Sequence, residues 1–239
     1  MKIKLFTVPN LLTSMNLLCG AVGVVVALTR GALSGAFAFM AAAAAFDFFD
    51  GFAARLLRQS SPIGGELDSL ADDISFGLLP SVILYVLYGR MPALWMPAGT
   101  GAEIAAFGVF VVAVFAALRL AKFNIDDTQH TEFCGLPSPA AALLCGSLGL
   151  LAECNGLTMP REAVLLVAVL VAALMISPIR MFSLKFEGFG WKGNELRYAF
   201  LLLCVVLLAT LQVRAIPVVL VAYVAISTLR WWILRKTDE

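Results

Sequence analysis

Charge is scarce in this sequence. Of its 239 residues only 14% are Asp, Glu, Lys or Arg, against 61% hydrophobic. A soluble domain carries about a quarter charged residues, so this composition, with a mean hydropathy of +0.93, excludes one and points to a polytopic membrane protein. Histidine is nearly absent. The single one, His130, lies in the polar stretch 124–131 and reads as a solvated residue. The five cysteines, Cys19, Cys134, Cys145, Cys154 and Cys204, show no Cys-x-x-Cys spacing, which argues against a zinc site or a disulfide framework. Most sit in apolar stretches, where cysteine behaves as a small buried hydrophobe. The net charge of +1 gives no global attraction for nucleic acid. No long polar segment, repeat or low-complexity tract is left over for a second domain, so residues 1–239 read as one integral-membrane domain.

What the sequence has is long apolar runs. A span needs about 20 mostly apolar residues, and eight stretches qualify: 11–29, 32–54, 66–88, 101–121, 136–153, 162–179, 196–213 and 215–233. The fifth and sixth are short, and only Arg214 separates the last two. The expected fold class is therefore all-α, with about eight transmembrane helices. Lys2 and Lys4 before an apolar run resemble a signal peptide. The run from Leu11 to Leu28 is long enough to span, however, no small-residue cleavage site stands out, and Leu18 is too bulky ahead of Cys19 for a lipoprotein box. The segment reads as a retained first helix. Residues 1–10, amphipathic over Lys2–Phe6, read as an interfacial segment. Gly20, Gly23, Gly31, Gly35 and the run 41–45 give the first two helices small faces that permit close packing.

The positive charges set an orientation. With the N-terminus cytoplasmic, that side receives Lys2, Lys4, Arg55, Arg58, Arg119, Lys122, Arg180, Lys185, Lys192, Arg197, Arg230, Arg235 and Lys236, thirteen of the 17 Lys and Arg residues. The other side receives Arg30, Arg90, Arg161 and Arg214. Both termini, and the bend between the second and third helices, are expected in the cytoplasm.

That bend is flanked by the most unusual stretch of the chain, 47–72. Asp47 and Asp50 are three residues apart on the second helix, and Asp68 and Asp72 four apart on the third, so each pair shares a helical face. Residues 56–65 form the bend, and the helices return antiparallel with the pairs face to face. Carboxylates in or near lipid require a cation, a proton or a partner. Oxygen-only ligands favour Mg²⁺, Mn²⁺ or Ca²⁺ over zinc, and a carboxylate cluster with open metal positions suits phosphate binding. Gly51 and Ala54 leave room against the backbone. Arg55 offers a bidentate phosphate partner, and Gly64 and Gly65 open the mouth of the third helix, whose N-terminal amides attract anions. Asp73 falls off the metal-facing stripe.

The pattern Asp47-x2-Asp50-Gly51-x2-Ala54-Arg55-x8-Gly64-x3-Asp68-x3-Asp72 resembles the CDP-alcohol phosphotransferases at all eight fixed positions. The resemblance implies a core of six transmembrane helices, a homodimer, and an active site open to the cytoplasm, in a chain integral to the cell (inner) membrane. It implies a metal site of Asp47, Asp50, Asp68 and Asp72 holding two ions of Mg²⁺ or Mn²⁺, and Asp72 as catalytic base. It places Asp47, Gly51, Ala54, Arg55 and Gly64 around CDP, joined by Asn10 and Thr13 from Pro9-Asn10-Leu-Leu-Thr13. Three further stretches are similar to the phosphatidylserine synthase branch: Glu66-Leu-Asp-Ser-Leu-Ala-Asp72 with Ile74-Ser-Phe-Gly77, Arg119-Leu-Ala-Lys122-Phe-Asn124, and Phe133-Cys-Gly-Leu-Pro-Ser-Pro139. That branch implies CDP-diacylglycerol and L-serine as substrates, phosphatidylserine and CMP as products, and acyl chains left in membrane lipid. Lys122 departs from the arginine more usual there. Arg119, Lys122, Arg180 and Lys185 are the candidates for binding the acceptor, with Lys185 and Arg119 favoured.

Two other readings stay open. The same chemistry can use another alcohol, such as glycerol-3-phosphate or inositol phosphate. Alternatively, the acids can belong to a cation-binding transporter. A transporter needs ionisable groups along a pathway, whereas here they gather at one surface.

Overall fold

The computed structural model describes residues 5–59, 61–126, 132–183, 190–191 and 194–237. The described residues form eight helical rods: α1 (Val8–Arg30), α2 (Leu33–Leu56), α3 (Pro62–Arg90), α4 (Thr100–Ile125), α5 (Ser138–Asn155), α6 (Arg161–Ile176), α7 (Glu195–Leu211) and α8 (Ala215–Thr237). Each expected span falls on one rod. Five stretches are long and apolar enough to cross a membrane: α1, α2, α3, α4 and Glu195–Lys236. The last carries α7 and α8, joined by a 3₁₀ turn at Gln212–Arg214. The chain is thus an all-α polytopic membrane protein. His130, Lys185 and Lys192 lie outside the described residues, as do Lys2 and Lys4 of the expected interfacial segment.

α3 is the central rod. In its apolar window 67% of residues are buried, against 11% for Glu195–Lys236. Phe76, Leu79, Ile83 and Leu84 of α3 are fully enclosed by α1, α4, α5 and α6. Phe48, Phe49, Phe52 and Leu56 of α2 and Leu202, Val205 and Leu208 of α7 are exposed. For a membrane helix such residues are the lipid-facing surface rather than a packing defect.

Local chemistry sets the helix ends that matter. α1 starts at Thr7, whose Oγ1 accepts from the Asn10 amide at 3.3 Å, and stops at Gly31, with φ +62°. α2 ends with Arg58 in the left-handed region (φ +53°), where the Gln59 amide turns back to the Ala54 carbonyl at 3.0 Å. α3 restarts almost at once. Ser61 caps it by accepting from the Gly64 amide at 3.1 Å, and Pro62 supplies the first helical φ. The bend is therefore shorter than the expected 56–65, and Gly64 and Gly65 belong to the first turn of α3. The Ser61–Pro62 cap starts the helix ahead of the two glycines.

Two features had no counterpart in the sequence reading. Residues Asp73–Leu78 of α3 form a π-helical segment. A short antiparallel sheet pairs β1 (Glu132–Cys134) with β2 (Arg180–Phe182) in the register Glu132 with Phe182 and Cys134 with Arg180. None of the five cysteines is in a disulfide. At the opposite end of the bundle from the bend, polar side chains act as clasps. The Arg90 guanidinium donates to the Gly31 carbonyl. Glu153 accepts from the Ser34 amide at 2.6 Å. Glu162 accepts from the amides of Leu94, Trp95 and Met96 at 2.9–3.2 Å.

The small face of α1 lies against the π segment. A Cβ on Gly20 would meet the Oγ of Ser75 and sit 2.9 Å from its Cα, so the backbone of α3 would have to move. Overpacking of this kind typically costs about 1–3 kcal/mol. Gly20→Ala is expected to lower the detergent-solubilised protein's unfolding free energy by that amount, read as a reduced melting temperature; an unchanged melting temperature would show that the α1–α3 contact yields freely.

Candidate functional site

The bend between α2 and α3 brings three acids together. One carboxylate oxygen from each of Asp47, Asp50 and Asp68 lies within 4.8 Å of the other two. Helical spacing explains the pairing within α2, and the tight Ser61–Pro62 restart explains why α3 returns close enough to add Asp68. Asp72 does not join this group of three. One turn further along α3, it is buried and turned toward α1. The expected four-acid cluster is thus a triad with a fourth acid beside it.

α1 supplies the donors. Thr13 and Asn16 are three residues apart, on one face of that helix. The Thr13 hydroxyl donates to Asp50 Oδ2 at 2.7 Å, and Asn16 Nδ2 donates to Asp72 Oδ1 at 3.1 Å. Asp68 Oδ1 is buried with no hydrogen-bond partner. Three converging carboxylates with an orphaned oxygen form a hard, anionic, oxygen-only donor set, which fits a divalent cation such as Mg²⁺ or Mn²⁺. The triad can therefore hold a metal.

Beside the triad is a cavity of about 250 Å³, lined by Pro9, Asn10, Thr13, Asp50, Gly51, Ala54, Gln59, Ser61, Gly64, Gly65 and Asp68. Ligand pockets commonly measure roughly 300–1,000 Å³, so this one suits a head group rather than a whole lipid. The Asn10 side-chain amide donates to the Leu5 carbonyl at 2.9 Å, leaving Oδ1 near Gly64, where an added Cβ would lie 3.1 Å from it. Of the residues expected around a nucleotide, Asn10, Thr13, Gly51, Ala54 and Gly64 are on this wall. Arg55 is exposed and not on it. Its guanidinium lies over Gly51, 3.9 Å from where a Cβ would be.

The acceptor candidates separate. Arg119 is only 7% exposed. Its Nη1 donates to Ser138 Oγ at 2.8 Å, its Nε has no partner, and its charge interacts with Asp72 and Tyr223. Tyr223 Oη in turn donates to the Phe182 carbonyl at 2.9 Å. Lys122 is exposed, with Nζ 3.9 Å from Cys134 Sγ, and Arg180 is exposed on β2. Lys185 is outside the described residues. Neighbouring Asn124 donates to Ser69 Oγ at 2.9 Å, tying α4 to α3 one residue from Asp68. The sequence reading missed Asn16, Gln59 and Ser61. Asn16 carried a usable signal, as a polar residue inside an apolar span on the same face as Thr13.

A sequence profile of the CDP-alcohol phosphatidyltransferase family matches residues 6–179. A Helicobacter pylori protein named CDP-diacylglycerol–serine O-phosphatidyltransferase is 30% identical over 96% of this chain and 93% of its own length. A Mycobacterium bovis protein of the same name is 35% identical over 63% of this chain. That alignment covers about half of the mycobacterial protein, 50% of its length. A Bacillus subtilis protein, again so named, is 34% identical over 57% of the chain and 71% of its own length.

Removing a carboxylate from the triad tests its affinity for a cation directly. Even residues outside a metal's ligand set carry roughly 10–100-fold of its affinity. Asp68→Asn is expected to weaken Mn²⁺ binding by at least about tenfold, measured as free Mn²⁺ by electron paramagnetic resonance on purified protein. Equal affinity in the variant would remove Asp68 from the site.

Proposed function

The chain belongs to the CDP-alcohol phosphatidyltransferase family, and on that footing we propose that it transfers the phosphatidyl group of CDP-diacylglycerol to the hydroxyl of L-serine, giving phosphatidylserine and CMP. The observation that carries the reading is the Asp47–Asp50–Asp68 triad set against a head-group-sized cavity, with Asp72 and buried Arg119 next to it. The full-length H. pylori relative bears the name of that activity, which supports serine as the acceptor. The reading extends the single domain over residues 1–239, forms a homodimer, and sits in the inner membrane with both termini and the site cytoplasmic. The positive-inside distribution supports that orientation.

Each group then has a task. Asp47, Asp50 and Asp68, with Asp72 alongside, hold Mg²⁺ or Mn²⁺, two ions in this reading. When bound, the metal supplies countercharge to the diphosphate and Lewis-acid assistance to the leaving phosphate. Asn10, Thr13, Gly51, Ala54 and Gly64 enclose the CDP group, and exposed Arg55 is placed to reach its phosphates. The serine oxygen attacks the phosphorus that bears diacylglycerol. A new P–O bond to serine forms, the P–O bond to the CMP phosphate breaks, and CMP leaves with the electron pair. Asp72 accepts the hydroxyl proton as general base. Arg119 pairs with the serine carboxylate, which satisfies its free Nε and brings the hydroxyl toward Asp72. Lys122, Arg180 and Lys185 serve as flanking cations in this reading, Lys122 without the bidentate fork of an arginine. The acyl chains stay in lipid.

A transport function is less well supported. Glu153 and Glu162, at the opposite end of the bundle, are bound to backbone amides and cap helices and loops instead of marking a route.

Purified protein given CDP-diacylglycerol, Mn²⁺ and each of serine, glycerol-3-phosphate and inositol phosphate is expected to release CMP with serine. Release with another alcohol alone would replace serine as acceptor, and no metal-dependent release with any would remove the enzyme class. Asp72→Asn is expected to lower kcat at least about a hundredfold, the lower end of what a positioned general base provides; wild-type turnover would remove it as base. Gly64→Ala, which pushes a methyl group against Asn10, is expected to raise KM for CDP-diacylglycerol severalfold at an unchanged serine KM.

A further inference from the structure

We propose that Asn16 is a positioning residue, whose side-chain amide fixes the carboxylate plane of Asp72 so that the second carboxylate oxygen faces the reacting hydroxyl. The inference rests on the reading of Asp72 as base and adds a residue to it. Asn16 is 0% exposed. It donates through Nδ2 to Asp72 Oδ1 at 3.1 Å, while its own Oδ1 is buried without a partner. A carboxylate only accepts hydrogen bonds, so the amide must present nitrogen to Asp72 and turn its oxygen away. An orphaned buried carbonyl lowers stability, and an apolar residue of similar shape would avoid that loss. The amide is retained for its one contact.

That contact supplies what packing does not. The terminal torsion of an aspartate is broad and roughly two-fold, so burial alone leaves the two oxygens of Asp72 free to swing. A directional donor on Oδ1 selects one plane. Asn16 is itself held in place by α3, since its backbone carbonyl accepts from Ser75 Oγ at 3.1 Å. Ser75 lies in the π segment, three residues past Asp72, and reaches Asn16 over the bare Cα of Gly20. α1 and α3 are thus tied twice, once by backbone and once by the amide on the base. π-bulges inside helices are frequent at functional sites. Ser75 and Asp72, three residues apart, face the same stretch of α1.

The experiment uses the full-length protein in detergent with three variants. Asn16→Leu keeps the volume and removes the donor, Asn16→Ser keeps a shorter donor, and Asn16→Ala is the fallback if the leucine variant does not fold. The readouts are kcat, KM for both substrates, Mn²⁺ affinity and melting temperature. Asn16→Leu is expected to lose at least about tenfold in kcat, the pattern of an interaction made in the transition state. With kcat read at Mn²⁺ saturating for each variant, both KM values should stay within about threefold, with no fall in melting temperature, and Asn16→Ser should exceed Asn16→Ala in kcat. A kcat within twofold of wild type in the leucine or alanine variant overturns the proposal. So does a loss of kcat that saturating Mn²⁺ restores, or one matched by an equal rise in CDP-diacylglycerol KM, which would place Asn16 in metal or substrate binding. Wild-type activity with a different alcohol removes only the serine reading and leaves the comparison of variants intact. Absence of activity with every alcohol overturns both.

Discussion

Four carboxylates at the edge of a bilayer must be given donors or cations, and the structure of this protein turns on how that demand is met. One helix, α1, meets half of it, giving the Thr13 hydroxyl to Asp50 and the Asn16 amide to Asp72. Hydrogen bonds to charged groups are worth roughly 1.5–3 kcal/mol each, and a buried group left without one costs a comparable amount. The position of α1 against α2 and α3 is therefore an electrostatic requirement as much as a packing preference. The small residues follow from it. Gly20 lets the π segment of α3 approach α1, and any larger side chain would separate donor from acceptor.

The broad plan was legible because lipid permits few alternatives. Backbone groups in a membrane must be satisfied within helices, so runs of apolar residues translate almost directly into rods: each of the eight runs lies on a helix, and five stretches are long and apolar enough to cross. The acid spacing was legible for the same reason, since positions three and four apart on a helix must share a face. The π segment and the β1–β2 pairing were not. A π-bulge inserts one residue without altering hydropathy, and nothing in Asp73-Ile-Ser-Phe-Gly-Leu78 departs from an ordinary buried helix. β1 and β2 are three residues each and pair across 46 positions of chain, from Cys134 to Arg180, beyond the reach of any local pattern.

At the site, the sequence reading grouped all four acids as metal ligands, with Asp72 also as base, because spacing gives direction around a helix but not depth. The structure separates them by depth. Asp47, Asp50 and Asp68 converge, whereas Asp72 sits one turn further along α3 and receives an amide from α1. The cationic candidates divide on the same principle. Arg119, Lys122 and Arg180 look alike in a sequence with a positive-inside bias. Only Arg119, on the helical face turned toward Asp72, is drawn into the protein, and its burial is tolerable because Ser138 and the carboxylate accept its charge.

The two ends of the bundle handle polar groups in opposite ways, and this separates stability from chemistry. Away from the bend, Arg90, Glu153 and Glu162 all bind backbone atoms of neighbouring segments, and Glu162 alone gathers three amides of the loop 94–96. These contacts close loops and cap helices. Toward the bend, buried atoms are left without partners on Asn16, Asp68, Asp73 and Arg119, whereas away from it the described residues leave one, on Arg161. Native interiors pair nearly all such groups, so four orphans in one region are not the product of selection for stability. The Asp68 oxygen suits a cation and the Arg119 Nε an anion, and under the proposed function a charged substrate bound with its metal would meet both, as neither a cation alone nor a neutral lipid would.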